Sequence, residues 1–312
     1  MSFDVSDSSA RPTFVSLFTG AGGMDLGFIE AGFEPVFAND IDEHAVTTYN
    51  RAMKRLADDR TNVSTDHQAI CGDLTEIDVD FTKISADYVI GGPPCQGFSV
   101  AGRMDPKDPR SRHVWNFMKV VQDVSPRGFV MENVKALAVS QRFKPVISEL
   151  RNLAAERGYR TELFVLNASH YGVPQARERM FFIGSRDSPP ASVAPWTKDN
   201  PPTVREALDA LAPYGAPGND RLCTAKVTPA KNPVLRRSPY AGMLFNGQGR
   251  PLDLDVPSPT LPASMGGNRT PIIDQQQLET GDKPWVVSYH ERLMSGLPVS
   301  YTHLTLPTTP YV

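Results

Sequence analysis

The sequence predicts an α/β fold, a doubly wound and mostly parallel sheet accompanied by a second, smaller, loop-rich domain. Short apolar runs alternate with amphipathic stretches through the first half of the chain, which is typical of repeated strand–helix–strand units. After Ser185, prolines become frequent and long apolar runs become rare. We therefore expect a large domain over residues 1–187, a small region over 188–298 and an unstructured or non-native tail over 299–312.

The elements of the first half follow in a regular order. Buried strands are predicted from short apolar runs at residues 13–18, 35–38, 87–91, 128–131 and 180–183. Helices are predicted at about 24–31, 42–56, 112–123 and 145–157. Gly32 supplies the stop of the first helix. Parallel strands joined by helices in this way form a sheet that is covered on both faces.

Composition excludes several classes of protein. The chain has 312 residues, of which 40% are hydrophobic, so wholesale disorder and collagen-like repeats are excluded. No run approaches the ~20 apolar residues that span a bilayer, and the polar start lacks an apolar signal core. The three cysteines, Cys71, Cys95 and Cys223, form no C-x-x-C pair, which argues against a disulfide framework or a cysteine zinc site. We therefore expect the protein to reside in a reducing cytosol. The net charge of −3 means that any nucleic-acid surface must be local.

A glycine-rich turn follows the first strand. Gly20, Gly22 and Gly23 allow a tight turn and the close approach of a ligand to a helix N-terminus. Asp40 follows about twenty residues later, where an acid binds ribose hydroxyls, and Asp73 ends a third predicted strand. A purely structural turn has the same glycines, but the acid at this spacing favours an adenosine-bearing cofactor, without separating NAD from S-adenosylmethionine.

A cysteine lies in a stiff loop directly after the strand at 87–91. Cys95 follows two glycines and two prolines in the sequence GGPPCQGFS. A lone cysteine is more often a small buried hydrophobe than a nucleophile, but this loop is a poor place to fill a core. A nucleophilic role requires help from nearby cations or a helix terminus, because a free thiol has a pKa of about 8.5. Arg103 and Lys107 follow within the same segment and are suited to that role or to holding phosphates.

Three further features complete the sequence pattern. Glu132 ends the next strand, at the same predicted edge of the sheet as Cys95. Arg177 and Arg179 open the strand at 180–183, and the period of two predicts that they share one face. The stretch from Arg221 to Arg250 contains six basic residues and no acidic one, which fits either a solvated basic face or a phosphate-binding surface.

Together these motifs resemble a known family. FTGAGG, GGPPCQGFS, MENV and YGVPQARER, in that order, are similar to the signature series of DNA (cytosine-5) methyltransferases of the bacterial restriction–modification type. Residues 250–260 resemble the element that follows the target-recognition region in that family. The resemblance covers roughly residues 14–273, and it implies a Rossmann-like methyltransferase fold that uses S-adenosyl-L-methionine.

The resemblance also implies residue roles. Cys95 would attack cytosine C6 as a thiolate, Glu132 would hold or protonate N3, and Arg177 would contact the base, with Arg179 supporting the cysteine loop. The base must be flipped out of the duplex to be reached. Implied cofactor contacts are Phe18, Gly20, Gly22, Gly23, Asp40, Ile41, Asp73, Leu74 and Pro93. Gln96, Ser99 and Arg103, beside the nucleophile, are predicted to contact DNA. Arg236 and Arg237 are predicted to contact DNA because they lie in the acid-free basic stretch.

The implied partner is duplex DNA, with no metal and no membrane, for a monomer in the cytoplasm that is associated with the nucleoid through DNA. A cognate restriction endonuclease belongs to the same kind of system, and no direct contact with it is implied. The family usually has a larger residue than Ile41, so a smaller adenine contact is expected there. Nothing after Ile273 resembles the family's returning C-terminal segment, so we expect a truncated chain with weak cofactor binding.

Alternatives remain at the level of sequence. Amino-methyltransferases acting on adenine N6 or cytosine N4 place an aromatic residue after their Pro-Pro pair, whereas this chain has Cys95 there. An enzyme that methylates cytosine in transfer RNA shares the core motifs. A catalytically impaired DNA-binding fragment would bind DNA without transferring a methyl group.

Overall fold

A computed structural model describes residues 11–59, 63–64, 66–94, 112–192, 194–209, 228–234, 243–246, 249–260 and 270–272. Six predicted site residues lie outside these ranges, namely Cys95, Gln96, Ser99, Arg103, Arg236 and Arg237. The predicted tail over 299–312 also lies outside them. The described chain divides into two compact units. The first takes the residues up to Leu166 and again from Glu178 to 192, and the second takes Asn167–Arg177 and the residues from Ala194 onward.

The first unit is built on one sheet. In chain order its strands are β1 (Thr13–Leu17), β2 (Glu34–Asp40), β3 (Ile70–Cys71), β4 (Tyr88–Gly91), β5 (Gly128–Val134) and β6 (Arg160–Asn167), and then, after β7 (Gln175–Ala176) of the second unit, β8 (Glu178–Ser185). Their order in the seven-stranded sheet is β3-β2-β1-β4-β5-β8-β6. Strands β1 to β5 pair in parallel and β8 pairs with β5 in antiparallel, which confirms the predicted mostly parallel sheet.

Helices connect most of these strands. They are α1 (Gly23–Glu30), α2 (Glu43–Asp59), α3 (His113–Val124), α4 (Lys135–Val139), α5 (Lys144–Ala155) and, in the second unit, α6 (Val204–Asp209). The four helices predicted from apolar periodicity are confirmed within a few residues at each end. In the described ranges, none of the helices combines the length and the apolar character that crossing a bilayer requires.

Successive strand residues point to opposite faces of the sheet, and helices pack on both of these faces. Phe14 and Ala38 lie in a buried cluster with residues of α1 and α2, such as Ile29. Val15 and Leu17 lie in a second, larger cluster with residues of α3 and α5. The predicted doubly wound arrangement is therefore confirmed.

An aromatic group forms the centre of the larger cluster. The ring of Phe129 lies 6.2 Å from Phe117, 5.3 Å from Tyr159 and 5.5 Å from Phe182, measured between centroids. Gly184, opposite Phe129 in the β5–β8 pair, leaves the room that this ring occupies. The antiparallel strand β8 is thus fixed by packing as well as by hydrogen bonds.

The second unit is made of short paired segments. Its strands β9 (Thr228–Val234) and β10 (Met243–Asn246) pair in antiparallel, whereas β11 (Gly249–Pro251) pairs in parallel with β13 (Thr270–Ile272), and β7 with β12 (Ser258–Pro259). Val204 and Leu208 of α6 are buried against Leu252 and Leu254. The boundary between the units runs through the segment that contains the predicted arginine pair.

Two glycines in the first unit give a matched test of this packing. A Cβ at Gly184 would overlap the ring of Phe129, so Gly184→Ala should destabilise the fold by about 1–3 kcal/mol. A Cβ at Gly27, within α1, meets nothing within 4 Å, so Gly27→Ala should stabilise it by roughly 0.5–1 kcal/mol. Denaturant unfolding measures both effects. Equal shifts in the two variants would contradict the packing described here.

Candidate active site

The turn between β1 and α1 uses backbone conformations that side chains disfavour. Gly20 has φ +56° and Gly22 has φ +89°. Gly22 also lies against the ring of Tyr49, because a Cβ at this position would be 2.8 Å from Tyr49 Cδ2. Gly22 N donates to Thr19 O at 3.0 Å, and Thr19 N donates to Asn39 O at 3.1 Å. The tight turn predicted from the glycine spacing is therefore present.

The start of α1 presents backbone donors. The helix begins at Gly23, and Gly22 is its N-cap, with no side-chain oxygen to cap it. The first N–H groups of a helix have no acceptor within the helix, and they carry partial positive charge. Such an N-terminus is suited to a carboxylate or phosphate of a ligand.

Phe18 departs from the alternation of β1. Position 18 would follow Phe14 and Ser16 onto the α1/α2 face, but its φ of +55° reverses the direction of the side chain. The ring packs instead against the cluster on the α3 side, with its centroid 5.4 Å from that of His113. A left-handed conformation costs a non-glycine residue about 1–2 kcal/mol, so the surrounding structure must stabilise this placement.

The carboxylate of Asp40, at the end of β2, ties the turn to the next strand. Its Oδ2 accepts from Gly20 N at 2.8 Å, and its Oδ1 accepts from Asp42 N at 2.9 Å. The next residue, Ile41, is 65% exposed, which is unusual for a large aliphatic side chain. An acid beside an exposed apolar side chain suits a ligand that has both hydroxyl groups and a flat ring.

Asp73, two residues after β3, is held by its neighbour. Its Oδ1 accepts from Thr75 N at 2.8 Å and from Thr75 Oγ1 at 2.7 Å. These bonds from the backbone and hydroxyl of Thr75, helped by the charge of His113, hold the pKa of Asp73 below its usual range. Asp73 therefore stays an ionised acceptor in mildly acidic solution. The adjacent Leu74 is 9% exposed and packs in the core.

The end of β4 approaches β1 closely. A Cβ at Gly91 would overlap the carbonyl oxygen of Leu17, so only glycine allows this spacing. Pro93 follows and is buried, and its carbonyl accepts from Asn133 Nδ2 at 3.1 Å. Asn133 itself is 1% exposed. The segment that leads to Cys95 is thus anchored to β5 by a buried amide, a role that our sequence analysis did not assign.

Glu132 and Arg179 form an ion pair at the same edge. Arg179 Nε lies 3.0 Å from Glu132 Oε1, and their side chains are 21% and 23% exposed. The second carboxylate oxygen, Oε2, lies beside Gly92, 3.5 Å from where a Cβ of that residue would be. A partly desolvated pair of this kind fixes the orientation of the carboxylate more firmly than a surface pair would.

The backbone at Arg177 departs from the prediction that Arg177 and Arg179 share one face of a strand. Arg177 lies between β7, which pairs with β12, and β8, which pairs with β5, and it belongs to neither strand. Its N–H donates to Gln175 O and its carbonyl accepts from Ala168 N, each at 2.9 Å, within the second unit. Alternation with a period of two applies only along an unbroken strand, so it does not relate Arg177 to Arg179.

A buried polar network lies beneath the glycine turn, and our sequence analysis missed it. Asp25 is fully buried in the first turn of α1. Its Oδ2 accepts from Ser16 Oγ and Thr19 Oγ1, each at 2.9 Å, and its Oδ1 accepts from Tyr49 OH at 3.0 Å. The same tyrosine oxygen is 2.9 Å from His67 Nε2. No sequence signal indicated that Asp25 is buried, because an acid in the first turn of a helix is usually solvated and interacts with the helix dipole.

Comparison with known proteins decides the family. Residues 12–238 match the family model described as C-5 cytosine-specific DNA methylase. The chain belongs to this family. It is 39% identical over 183 residues to the Type II methyltransferase M1.HphI of Haemophilus parahaemolyticus, covering 56% of this chain and 46% of that protein. It is 38% identical over 187 residues to M.AquIA of Picosynechococcus, covering 55% of this chain and 71% of that protein.

The fold is shared with a solved structure. A protein described as a DNA modification methyltransferase, encoded within a prophage of E. coli, superposes with a TM-score of 0.57 at 23% identity, covering 83% of this chain and 85% of that one. This similarity supports the methyltransferase fold. The chain spans about half the length of most curated relatives that it matches.

The buried network predicts an unusual pH dependence of stability. Burial raises the pKa of Asp25 to about 6 and lowers that of His67 to about 4. Between pH 4 and 6 the folded pair holds its proton on Asp25, whereas the unfolded pair holds it on His67. Because the two states bind the same number of protons, the pair contributes no slope to the free energy of unfolding in this window.

Removing one member should expose the other. In Asp25→Asn only His67 remains, and it takes up a proton on unfolding, so stability relative to the unmodified protein should fall on acidification from pH 6 to 4. The expected slope approaches about 1.4 kcal/mol per pH unit. His67→Gln should give a slope of the opposite sign. Denaturant titrations across this range measure both, and profiles parallel to that of the unmodified protein would disprove the paired titration.

Proposed function

We propose that this chain transfers a methyl group from S-adenosyl-L-methionine to carbon 5 of cytosine in duplex DNA. The observation that carries the proposal is the ion pair of Glu132 and Arg179 beside Gly92, which precedes Cys95 by three residues in the sequence. Family membership supports the reaction class, and the relatives compared above are Type II methyltransferases.

The residues around the β1 turn fit such a cofactor. Phe18 and Ile41 offer apolar surface for adenine, Asp73 an ionised acceptor for its amino group, and Asp40 an acceptor for ribose hydroxyls. A carboxylate oxygen accepts more than one hydrogen bond, so Asp40 is able to hold both the turn and a ribose. The backbone donors at the start of α1 suit the carboxylate of the amino-acid moiety. The bound cofactor would supply an electrophilic methyl group.

The protein's own residues perform the remaining chemistry. The Cys95 thiolate adds to C6 of a flipped cytosine, and the electron pair of the C5–C6 double bond makes C5 nucleophilic. Glu132, held in place by Arg179 at Oε1, gives a proton to N3 as negative charge develops on the ring. After C5 has taken the methyl group, with S-adenosyl-L-homocysteine as the leaving group, C5 loses its proton to solvent and the C6–S bond breaks. These changes restore the C5–C6 double bond and the free thiolate, and N3 returns its proton to Glu132. Arg177 is proposed as a further contact to the base.

Contacts to DNA are proposed from the sequence alone. Gln96, Ser99 and Arg103 follow or flank the nucleophile, so they would meet the strand from which the base is flipped. Arg236 and Arg237 lie in the acid-free basic stretch and would neutralise phosphates. Recognition of a short sequence would use base edges in the major groove.

Glu132→Gln tests the role of the carboxylate. The amide keeps the shape of the side chain but loses its charge and its ability to carry a proton to N3, so methyl transfer should fall by about 100-fold or more. The matched control is Glu178→Gln, which breaks the exposed Lys135–Glu178 pair, 2.8 Å in length, one residue from Arg179. The control should keep full activity. Incorporation of radioactive methyl groups into plasmid DNA measures both variants.

Transfer RNA is included as a second substrate in the same assay. Labelling of DNA with no labelling of transfer RNA is the expected result. Labelling of transfer RNA alone would replace the proposed substrate, and equal activity of the two glutamine variants would remove Glu132 from the chemistry.

A further inference from the structure

We infer that Asp25 is a positioning residue for the cofactor turn, acting through Ser16, Thr19 and Tyr49, with His67 orienting the tyrosine hydroxyl. The inference rests on the proposed function and adds a residue to it. Asp25 does not face the ligand side of the turn: its carboxylate points into the α1/α2 side of the sheet and is fully buried.

The network holds the turn from three directions. Ser16 lies in β1, Thr19 lies in the turn itself and Tyr49 lies in α2, and all three hydroxyl groups donate to the same carboxylate. Tyr49 has a second function, because its ring packs directly beneath Gly22, the N-cap of α1. A shift of Tyr49 would therefore remove the support of the left-handed Gly22.

The protons of the network are fully assigned when Asp25 is ionised. Burial and the neighbouring carboxylate raise the pKa of Tyr49, so its hydroxyl keeps its proton and donates it to Asp25. His67, which burial keeps neutral, then donates from Nε2 to the tyrosine oxygen. The three hydroxyl groups each donate to Asp25, and His67 donates to Tyr49. Every hydrogen bond between His67 and the turn therefore has a fixed direction.

Stability alone gives no reason for this carboxylate. Desolvation of a buried acid is costly, and apolar replacements of similar volume are often neutral or stabilising. The position of the Asp25 carboxylate instead indicates that it stabilises the conformation of the turn. Thr19 lies between two left-handed residues, Phe18 and Gly20, and its hydroxyl donates to Asp25. Asp40 holds the outer side of the same turn through Gly20 N.

The experiment compares network variants with a stability-matched control. Asp25→Asn replaces one carboxylate oxygen with an amide nitrogen, which cannot accept a hydrogen bond, and Thr19→Val removes the hydroxyl that donates from the turn. Neither substitution changes the side-chain volume much. The control is Tyr159→Phe, because Tyr159 is also buried in the first unit and its hydroxyl donates one hydrogen bond, to Pro126 O at 2.7 Å, away from the turn. Three properties are measured on the full chain: melting temperature, amide hydrogen exchange at Thr19 and Gly22, and affinity for S-adenosylmethionine by calorimetry.

Both network variants should exchange the turn amides faster and bind the cofactor about tenfold more weakly, which corresponds to the loss of one hydrogen bond to a charged group. In methylation assays the KM for the cofactor should rise by a similar factor, whereas kcat at saturating cofactor stays within twofold. Tyr159→Phe should lower the melting temperature and change neither exchange at the turn nor affinity.

Two other results are informative. The inference would be overturned if the network variants melt at a lower temperature, as the control does, but keep normal hydrogen exchange at the turn amides and normal cofactor affinity. Asp25 would then be only a part of the core. If the unmodified chain binds no cofactor while turn exchange still responds to Asp25→Asn and Thr19→Val, the proposed function fails and the positioning role stands. Thr19→Val, which keeps the carboxylate, decides the matter if Asp25→Asn does not fold.

Discussion

The close approach of β1 and β4 at their carboxyl ends is the constraint on which the site depends. Gly91 lies so near the Leu17 carbonyl that no other residue fits, and the two strands then diverge into the turn at Phe18 and the loop toward Cys95. From β1 the chain goes to β2 and β3 on one side and returns to β4 and β5 on the other. Such a reversal of strand order opens a crevice at the carboxyl edge, where open α/β sheets bind their ligands.

Carboxylates on both sides of this crevice have different environments and therefore different tasks. Asp40 and Asp73 stand at strand ends with solvent access, where they are able to exchange partners with a ligand. Asp25 has exchanged water entirely for hydroxyl donors, so it is suited to holding structure and not to binding. Glu132 lies between these extremes: its side chain is 23% exposed and is paired with the guanidinium of Arg179.

The sequence predicted those features that depend on local periodicity or on strand ends. Glycines at Gly20 and Gly22, and the acids Asp40 and Asp73, were located correctly because parallel strands end at one edge and the turn needs left-handed residues. Features that depend on distant pairing were not predictable. Nothing local indicates that β8 inserts beside β5 in antiparallel and brings Arg179 onto Glu132.

Two features of the site depend on contacts that a one-dimensional period does not show. Tyr49 occupies an apolar position of an amphipathic helix, which conceals that its hydroxyl joins Asp25 to His67. Arg177 was related to Arg179 by assuming an unbroken strand, but β8 begins only at Glu178, so Arg177 precedes it. In both cases a one-dimensional period describes where a side chain begins, but the partner at its polar end is set by the tertiary structure.

The most direct test of the account is covalent capture of the nucleophile. Incubated with cofactor and DNA that contains 5-fluorocytosine, the chain should form a denaturant-stable adduct, because fluorine at C5 blocks the final elimination. Cys95→Ser should abolish the adduct, and Cys71→Ser, which alters an exposed free thiol, should retain it. An adduct that persists in Cys95→Ser, or that Cys71→Ser abolishes, would contradict the assignment of Cys95 as the nucleophile.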